Sequence, residues 1–224
     1  MNDILTILKK TGSSPAHIQA SSCKNERYLH HYFSHKLQTQ KYSVMYNDES
    51  SRVIHPEWPT RKKERNNGNG GTYKCAKNKK KYNVDENGHS GFIDFAIGDY
   101  DKPEIGIEFT VSTSWKKEEV IYDMMKLMDS RNPFQKVISY NIVFRKEKLP
   151  EEGTTDFSDF KDAINDSLSV YQERLNDYKY YARKREYLFW VIEIGTNQTR
   201  SWYCGNFEGI ETTGPKEFKM GDPV

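Results

Sequence analysis

Two short apolar runs, Gly91-Phe-Ile-Asp-Phe-Ala-Ile-Gly98 and Glu104-Ile-Gly-Ile-Glu-Phe-Thr-Val-Ser112, flank the turn-forming stretch Asp99-Tyr-Asp-Lys-Pro103. That pattern predicts a β-hairpin. Centring its loop on Asp101 pairs Ile97 with Ile105, Phe95 with Ile107 and Ile93 with Phe109, so one face of the hairpin is apolar. Side chains alternate across a strand, so the other face carries Phe92, Asp94, Ala96, Gly106, Glu108 and Thr110, with Asp94 opposite Glu108. Directly opposed residues have Cβ atoms roughly 4.5–5.5 Å apart, and two carboxylates held so close destabilise one another. A hard divalent cation offsets this, because Mg2+ takes one or two carboxylates and fills its remaining positions with water and phosphate oxygens. The bland alternative is an exposed polar sheet face, against which the poor strand propensity of Asp counts.

The rest of the chain reads as helices and strands around that hairpin. Residues 22–38 have a helical stripe of Leu29, Phe33 and Leu37, with Ser22 able to cap the start. A strand is expected within 41–54, ended by Pro56 and Pro59. A helix follows from about Lys116 to Ser130 on Val120, Met124, Leu127 and Met128, then a strand from Val137 to Arg145. A long helix is expected from about Phe157 to Arg185, then strands at Leu188 to Ile194 and near Ser201 to Cys204, with a frayed tail from 214 to 224. The expected class is α/β: a central mixed β-sheet flanked by helices, in one domain of 224 residues.

Hydrophobic residues make up 35% and charged residues 29%, a balance that leans towards disorder, but 13% aromatic residues argue for a packed core. No apolar run is long enough to span a bilayer, and the start has no hydrophobic signal core, so a soluble, cytoplasmic protein with no membrane partner is expected. The three cysteines, Cys23, Cys75 and Cys204, are far apart and form no CxxC pair, which excludes a disulfide framework or a cysteine zinc site.

The net charge is only +2, but it is unevenly spread. Between residues 61 and 81 nine basic residues (Arg61, Lys62, Lys63, Arg65, Lys74, Lys77, Lys79, Lys80, Lys81) face one acidic residue, Glu64, a local charge of +8. With Asn66-Asn-Gly-Asn-Gly-Gly71 inside it, the stretch reads as a mobile arm or wide hairpin tip. Such an arm suits nucleic-acid backbones, since each neutralised phosphate releases counterions whatever the base sequence. A solvated loop without a partner is the alternative.

Taken together, Asn25-Glu26-Arg27-Tyr28-Leu29-His30, Gly91-Phe-Ile-Asp94-Phe-Ala-Ile, Ile105-Gly-Ile-Glu108-Phe-Thr110 and Asp123-Met-Met-Lys126-Leu127 resemble the PD-(D/E)XK, or restriction-endonuclease-like, nuclease superfamily. The resemblance covers roughly residues 22–145 and implies an αβββαβ core, with the helix and strands of 157–204 as an extension. It further implies an endonuclease that hydrolyses DNA phosphodiester bonds with Mg2+ (or Mn2+), in restriction, repair or defence against foreign DNA. Asp94 and Glu108 are then metal ligands, helped by the carbonyl of Phe109, and Glu26 closes the site from the first helix. Two positions depart from the motif. Ile93 stands in place of Pro, and Thr110 stands where the lysine is usual, two after Glu108; a hydroxyl brings no positive charge to the reacting phosphate. The superfamily lets that lysine come from another element, and Lys126 on the next helix is the best substitute, ahead of Lys116 and Lys117; the alternative is a solvated helix lysine paired with Asp123 or Tyr122.

Other signals carry less. His31 and His35 have the i, i+4 spacing of a metal pair, but His30, His31 and His35 read more simply as ordinary helix histidines. His55 and His89 flank the basic arm and could touch phosphate, though nothing in the sequence requires it. Gly68-Asn-Gly-Gly71 lacks the Gly-Lys-Ser/Thr of a P-loop. Tyr178, Tyr180, Tyr181 and Tyr187, interleaved with Lys179, Arg183, Lys184 and Arg185, offer a stacking surface or simple helix packing. DNA is the expected partner, with RNA an alternative, and a single small domain would act as a homodimer or beside a partner subunit. The rival readings are a nuclease fold without activity that binds nucleic acid or protein, and an interaction subunit of a larger complex.

Overall fold

The computed structural model describes residues 26–39, 54–60, 72–75, 82–84, 89–176, 185–206 and 220. The first helix is α1 (Glu26–Thr39). It is followed by β1 (Ile54–Pro59), β2 (Thr72–Cys75), β3 (Tyr82–Val84), β4 (His89–Ser90), β5 (Phe92–Gly98) and β6 (Pro103–Ser112). Then come α2 (Lys117–Met128), β7 (Lys136–Phe144), α3 (Thr155–Asn176), β8 (Glu186–Ile194) and β9 (Thr199–Asn206). Six strands form one mixed sheet in the order β1-β5-β6-β7-β8-β9, and β3-β2-β4 form a small second sheet. The fold is α/β.

β6, β7 and β8 run parallel, so the chain must cross over the sheet twice, through α2 and then α3. Successive crossovers in one direction put both helices on one face. There Met124, Met125 and Leu127 of α2 and Ile164, Leu168 and Tyr171 of α3 pack on Val137, Phe189, Val191 and Trp202. The opposite face carries Ile107, Phe109, Tyr140, Ile142, Trp190 and Ile192, and α1 seats on it through Phe33, whose ring lies 5.0 Å from Phe95 and 5.1 Å from Phe109. Strands covered on both faces need apolar residues without alternation. This is why Leu188-Phe-Trp-Val-Ile-Glu-Ile194 is nearly continuous; its one charge, Glu193, is buried against Arg145 at 2.8 Å.

The central hairpin register is the expected one, with Ile97 paired to Ile105, Ala96 to Gly106 and Phe95 to Ile107; the register shifts at Gly98, which pairs with Pro103, and the expected pairs of Ile93 with Phe109 and Asp94 with Glu108 are not part of the ladder. The alternation of faces breaks further on. Ile93 packs with Trp58 and Ala96 beneath α2 and α3, not with Phe95 and Ile97 on the α1 side. The break coincides with Glu57, which lies opposite Asp94 between the pairs Pro56–Phe95 and Trp58–Ile93 and takes the left-handed φ of 52°. Residues with a Cβ avoid that conformation, and here it turns both strands at once. Phe92, at the start of β5, is 54% exposed.

Two further expectations need correction. Pro56 does not end a strand but lies inside β1, an edge strand of the sheet where a proline is tolerated, while Pro59 is the last residue of β1; the strand expected within 41–54 lies outside the described residues except for Ile54. The basic stretch, read as a mobile arm or wide hairpin tip, contains the strand β2, paired to β3 and β4, and its other residues lie outside those described. Arg185 is not helical. It leads into β8, and its guanidinium donates to the carbonyls of Leu127, Asp129 and Asn132, closing the end of α2.

Candidate functional site

The ladder between β5 and β6 is paired as far as Phe95 and Ile107, and Asp94 and Glu108 stand one step beyond it. There the Phe109 N–H donates to the side chain of Asp94, Oδ2, at 2.7 Å. The strands therefore fork, and the fork opens into a cleft of about 230 Å3 lined by Glu26, Asp94, Glu108, Phe109, Thr110, Glu119, Tyr122, Asp123 and Lys126. Three elements meet at this point: α1 from one face, the forked strands, and α2 from the other.

From α2, the Lys126 ammonium reaches Glu108 Oε1 at 2.5 Å and Asp123 Oδ1 at 3.0 Å, and donates to the carbonyl of Phe92 at 2.9 Å. Its side chain is 8% exposed and that of Glu108 only 2%. The Thr110 hydroxyl donates to the other oxygen of Asp123 at 3.0 Å. From α1, His30 Nε2 lies 3.5 Å from Asp94 Oδ2 and 4.0 Å from Glu26 Oε1. Its ring is wedged between Phe95 and Phe109, at 5.2 and 5.6 Å.

The electrostatics follow from four carboxylates crowded around one ammonium. Burial pushes the Glu108 carboxyl well up, with Asp123 and Asp94 adding to the rise and Lys126 opposing it. Burial likewise raises Asp123. Burial acts against the Lys126 charge, but Asp123 and Glu108 outweigh it and hold the ammonium above the ordinary lysine range. Burial acts to raise Asp94 too, yet His30, the Phe109 N–H and Lys126 keep it below the usual carboxylate value. Glu26 is pushed up to about 7 by burial and by the neighbouring Asp94. Perturbed titrating groups that converge in a cleft are the ordinary mark of a functional site. A larger cleft of about 720 Å3, at the far ends of β7 and β8, holds the Arg145–Glu193 pair among mixed surface charges and lacks such convergence.

Of the residues expected from sequence, Asp94, Glu108, Glu26, Lys126 and the backbone of Phe109 all line this one cleft. Lys117 is instead paired with Asp166 of α3 at 2.5 Å, and Lys116 is exposed ahead of α2. The set missed His30 as a site residue; Asp123, named from the sequence as an alternative partner of a solvated Lys126, does pair with it, but in a buried position. The signal for His30 was present, one turn after Glu26 on the same helix face. His31 and His35 are exposed, and among the described residues the group able to hold a metal is Glu26, His30 and Asp94, whose ligand atoms lie within 4.8 Å of one another. His55 donates to the carbonyl of Gly98 at 2.8 Å, a bond that closes the β1 edge.

Arg61, Lys62, Lys63, Arg65, Lys77, Lys79, Lys80 and Lys81 lie outside the described residues, and of Lys74 only the backbone, in β2, is described. So do Tyr178, Lys179, Tyr180, Tyr181, Arg183 and Lys184; Tyr187 is buried on β8. Among the described residues no helix is long and apolar enough to cross a membrane. Comparison of the chain with models of known protein families, with curated proteins and with solved structures gave no match.

Proposed function

We propose that the chain is a divalent-ion-dependent hydrolase of phosphodiester bonds in DNA, a nuclease of the restriction-endonuclease-like kind. The observation that carries this reading is the meeting of Asp94, Glu108 and Lys126 at one fork in the sheet, although they come from two strands and a helix. The residues present fit a hard cation. Glu26, Asp94, Glu108 and Asp123 outnumber the one ammonium, and the carboxylate of Asp94 adds to the rise that burial gives Glu26. Glu26, Asp94 and Glu108 would hold such an ion, which when bound would supply a Lewis acid for a phosphoryl oxygen and for a water.

The chain's own groups do the positioning. The Phe109 N–H fixes Asp94, Lys126 holds Glu108 and Asp123 in place, and Thr110 steadies Asp123 from β6. The basic segment, charged +8 over 61–81, suits the phosphate backbone of the substrate. The test is relaxation of supercoiled plasmid by the purified chain with Mg2+ or Mn2+, stopped by a chelator.

One observation favours a second reading, a fold that binds nucleic acid or a partner without cutting. Lys126 has three N–H donors, and Glu108, Asp123 and the Phe92 carbonyl engage all three. Plasmid binding with no cleavage under either ion selects this alternative.

A further inference from the structure

His30 stands at the fork, and the reading above does not use its chemistry. Its Nε2 is shielded from solvent and has no hydrogen-bond partner of good geometry. It faces Asp94 Oδ2 at 3.5 Å and Glu26 Oε1 at 4.0 Å. Ligand atoms at roughly 2.1 Å from a shared ion stand about 3.0 Å apart at right angles and about 4.2 Å apart when opposed. Both separations fall inside that range. The ring needs no second hydrogen bond to hold this aim, because Phe95 and Phe109 grip it from two sides. Glu108 stands apart from this trio, its Oε1 already matched to Lys126.

We propose that His30 is a nitrogen ligand of the ion, together with Glu26 and Asp94, so that the site selects a first-row transition ion over Mg2+. The inference rests on the metal-dependent reading and names the class of metal. Mg2+ takes oxygen ligands and tolerates a nitrogen poorly, whereas imidazole strengthens binding of transition ions. Glu108 then stays with Lys126, beside the ion and not on it.

The test uses the full chain without nucleic acid. Mn2+, Co2+ and Mg2+ are titrated calorimetrically into wild type, His30→Ala and His30→Gln, and the visible spectrum of bound Co2+ is recorded. Losing the ligand is expected to weaken Mn2+ and Co2+ tenfold to a hundredfold, to change the Co2+ spectrum, and to leave Mg2+ close to its wild-type affinity. Equal weakening of all three ions, or none, overturns the proposal, and leaves His30 as a group that merely positions Asp94. Should both variants fail to fold, selective broadening of the His30 ring signals by Mn2+ in the wild type supports the proposal, and its absence overturns it. Ion selectivity that depends on His30 in a chain that never cleaves DNA keeps this inference and removes the hydrolase reading. Mg2+-dependent cleavage that needs Asp94, with transition-ion affinity indifferent to His30, does the reverse.

Discussion

The Lys126 ammonium stands 2.5 Å from Glu108 Oε1, both side chains almost wholly shielded from water, and this ion pair ties α2 to the open end of the β5–β6 hairpin. Two charges removed from solvent are tolerable only as a pair, so deleting either leaves the other stranded.

Lys126→Ala should therefore destabilise the fold by about 3–5 kcal/mol, read as a shift in the urea midpoint. Replacing both partners with apolar groups, Lys126→Met with Glu108→Leu, should recover part of that loss in stability while leaving any activity abolished. An equal loss in single and double variants would show that the pair is not what holds α2 to the strands.

Glu26 sets a pH dependence. Its carboxyl is raised from the ordinary 4.5 to about 7 by burial and by Asp94, so between those values the folded chain holds more protons than the unfolded one. Stability from this group is full below about pH 4.5 and is lost as pH rises towards 7. The side chain is 46% exposed, so screening trims the effect. Denaturation at pH 5 and pH 7.5 should show the decline, flattened in Glu26→Gln, and a divalent ion at pH 7.5 should restore part of what was lost.

Ion binding should also appear as thermal stabilisation. An ion at a hundred times its dissociation constant adds about 2.7 kcal/mol, and Asp94→Ala should remove most of the resulting rise in Tm. A rise that persists undiminished in that variant places the ion elsewhere.

Two glycines test the packing that positions the site. A Cβ at Gly205 would meet the backbone oxygen of Tyr187 at 2.5 Å, while one at Gly106 would meet the Phe134 ring at 2.8 Å. Over-packing costs about 1–3 kcal/mol. A ring can shift and a strand cannot, so Gly205→Ala should sit at or above the upper end and Gly106→Ala below it, as read by chemical denaturation.

Much of this arrangement could be read from the chain alone, and the failures have physical causes. Ile97, Phe95 and their partners follow strict alternation around a recognisable loop, so the register was accessible, and with it Asp94 and Glu108 at the hairpin's open end. Lys126 was reachable because a missing lysine at Thr110 directs attention to the next helix. The face change at Ile93 was not legible, since it depends on the left-handed Glu57 of a different strand. Pro56 read as a breaker because edge position is a property of the sheet, not of the segment. His30 looked like any helix histidine; only the seating of Phe33 on Phe95 and Phe109 rotates it towards Asp94.

The most direct measurement is the rate of plasmid nicking with Mg2+ and with Mn2+ for wild type, Asp94→Ala and Glu108→Ala, each verified as folded. The account predicts ion-dependent nicking by wild type and at least a hundredfold loss in both variants. Undiminished cleavage by both variants, or no cleavage by wild type with either ion, would contradict it.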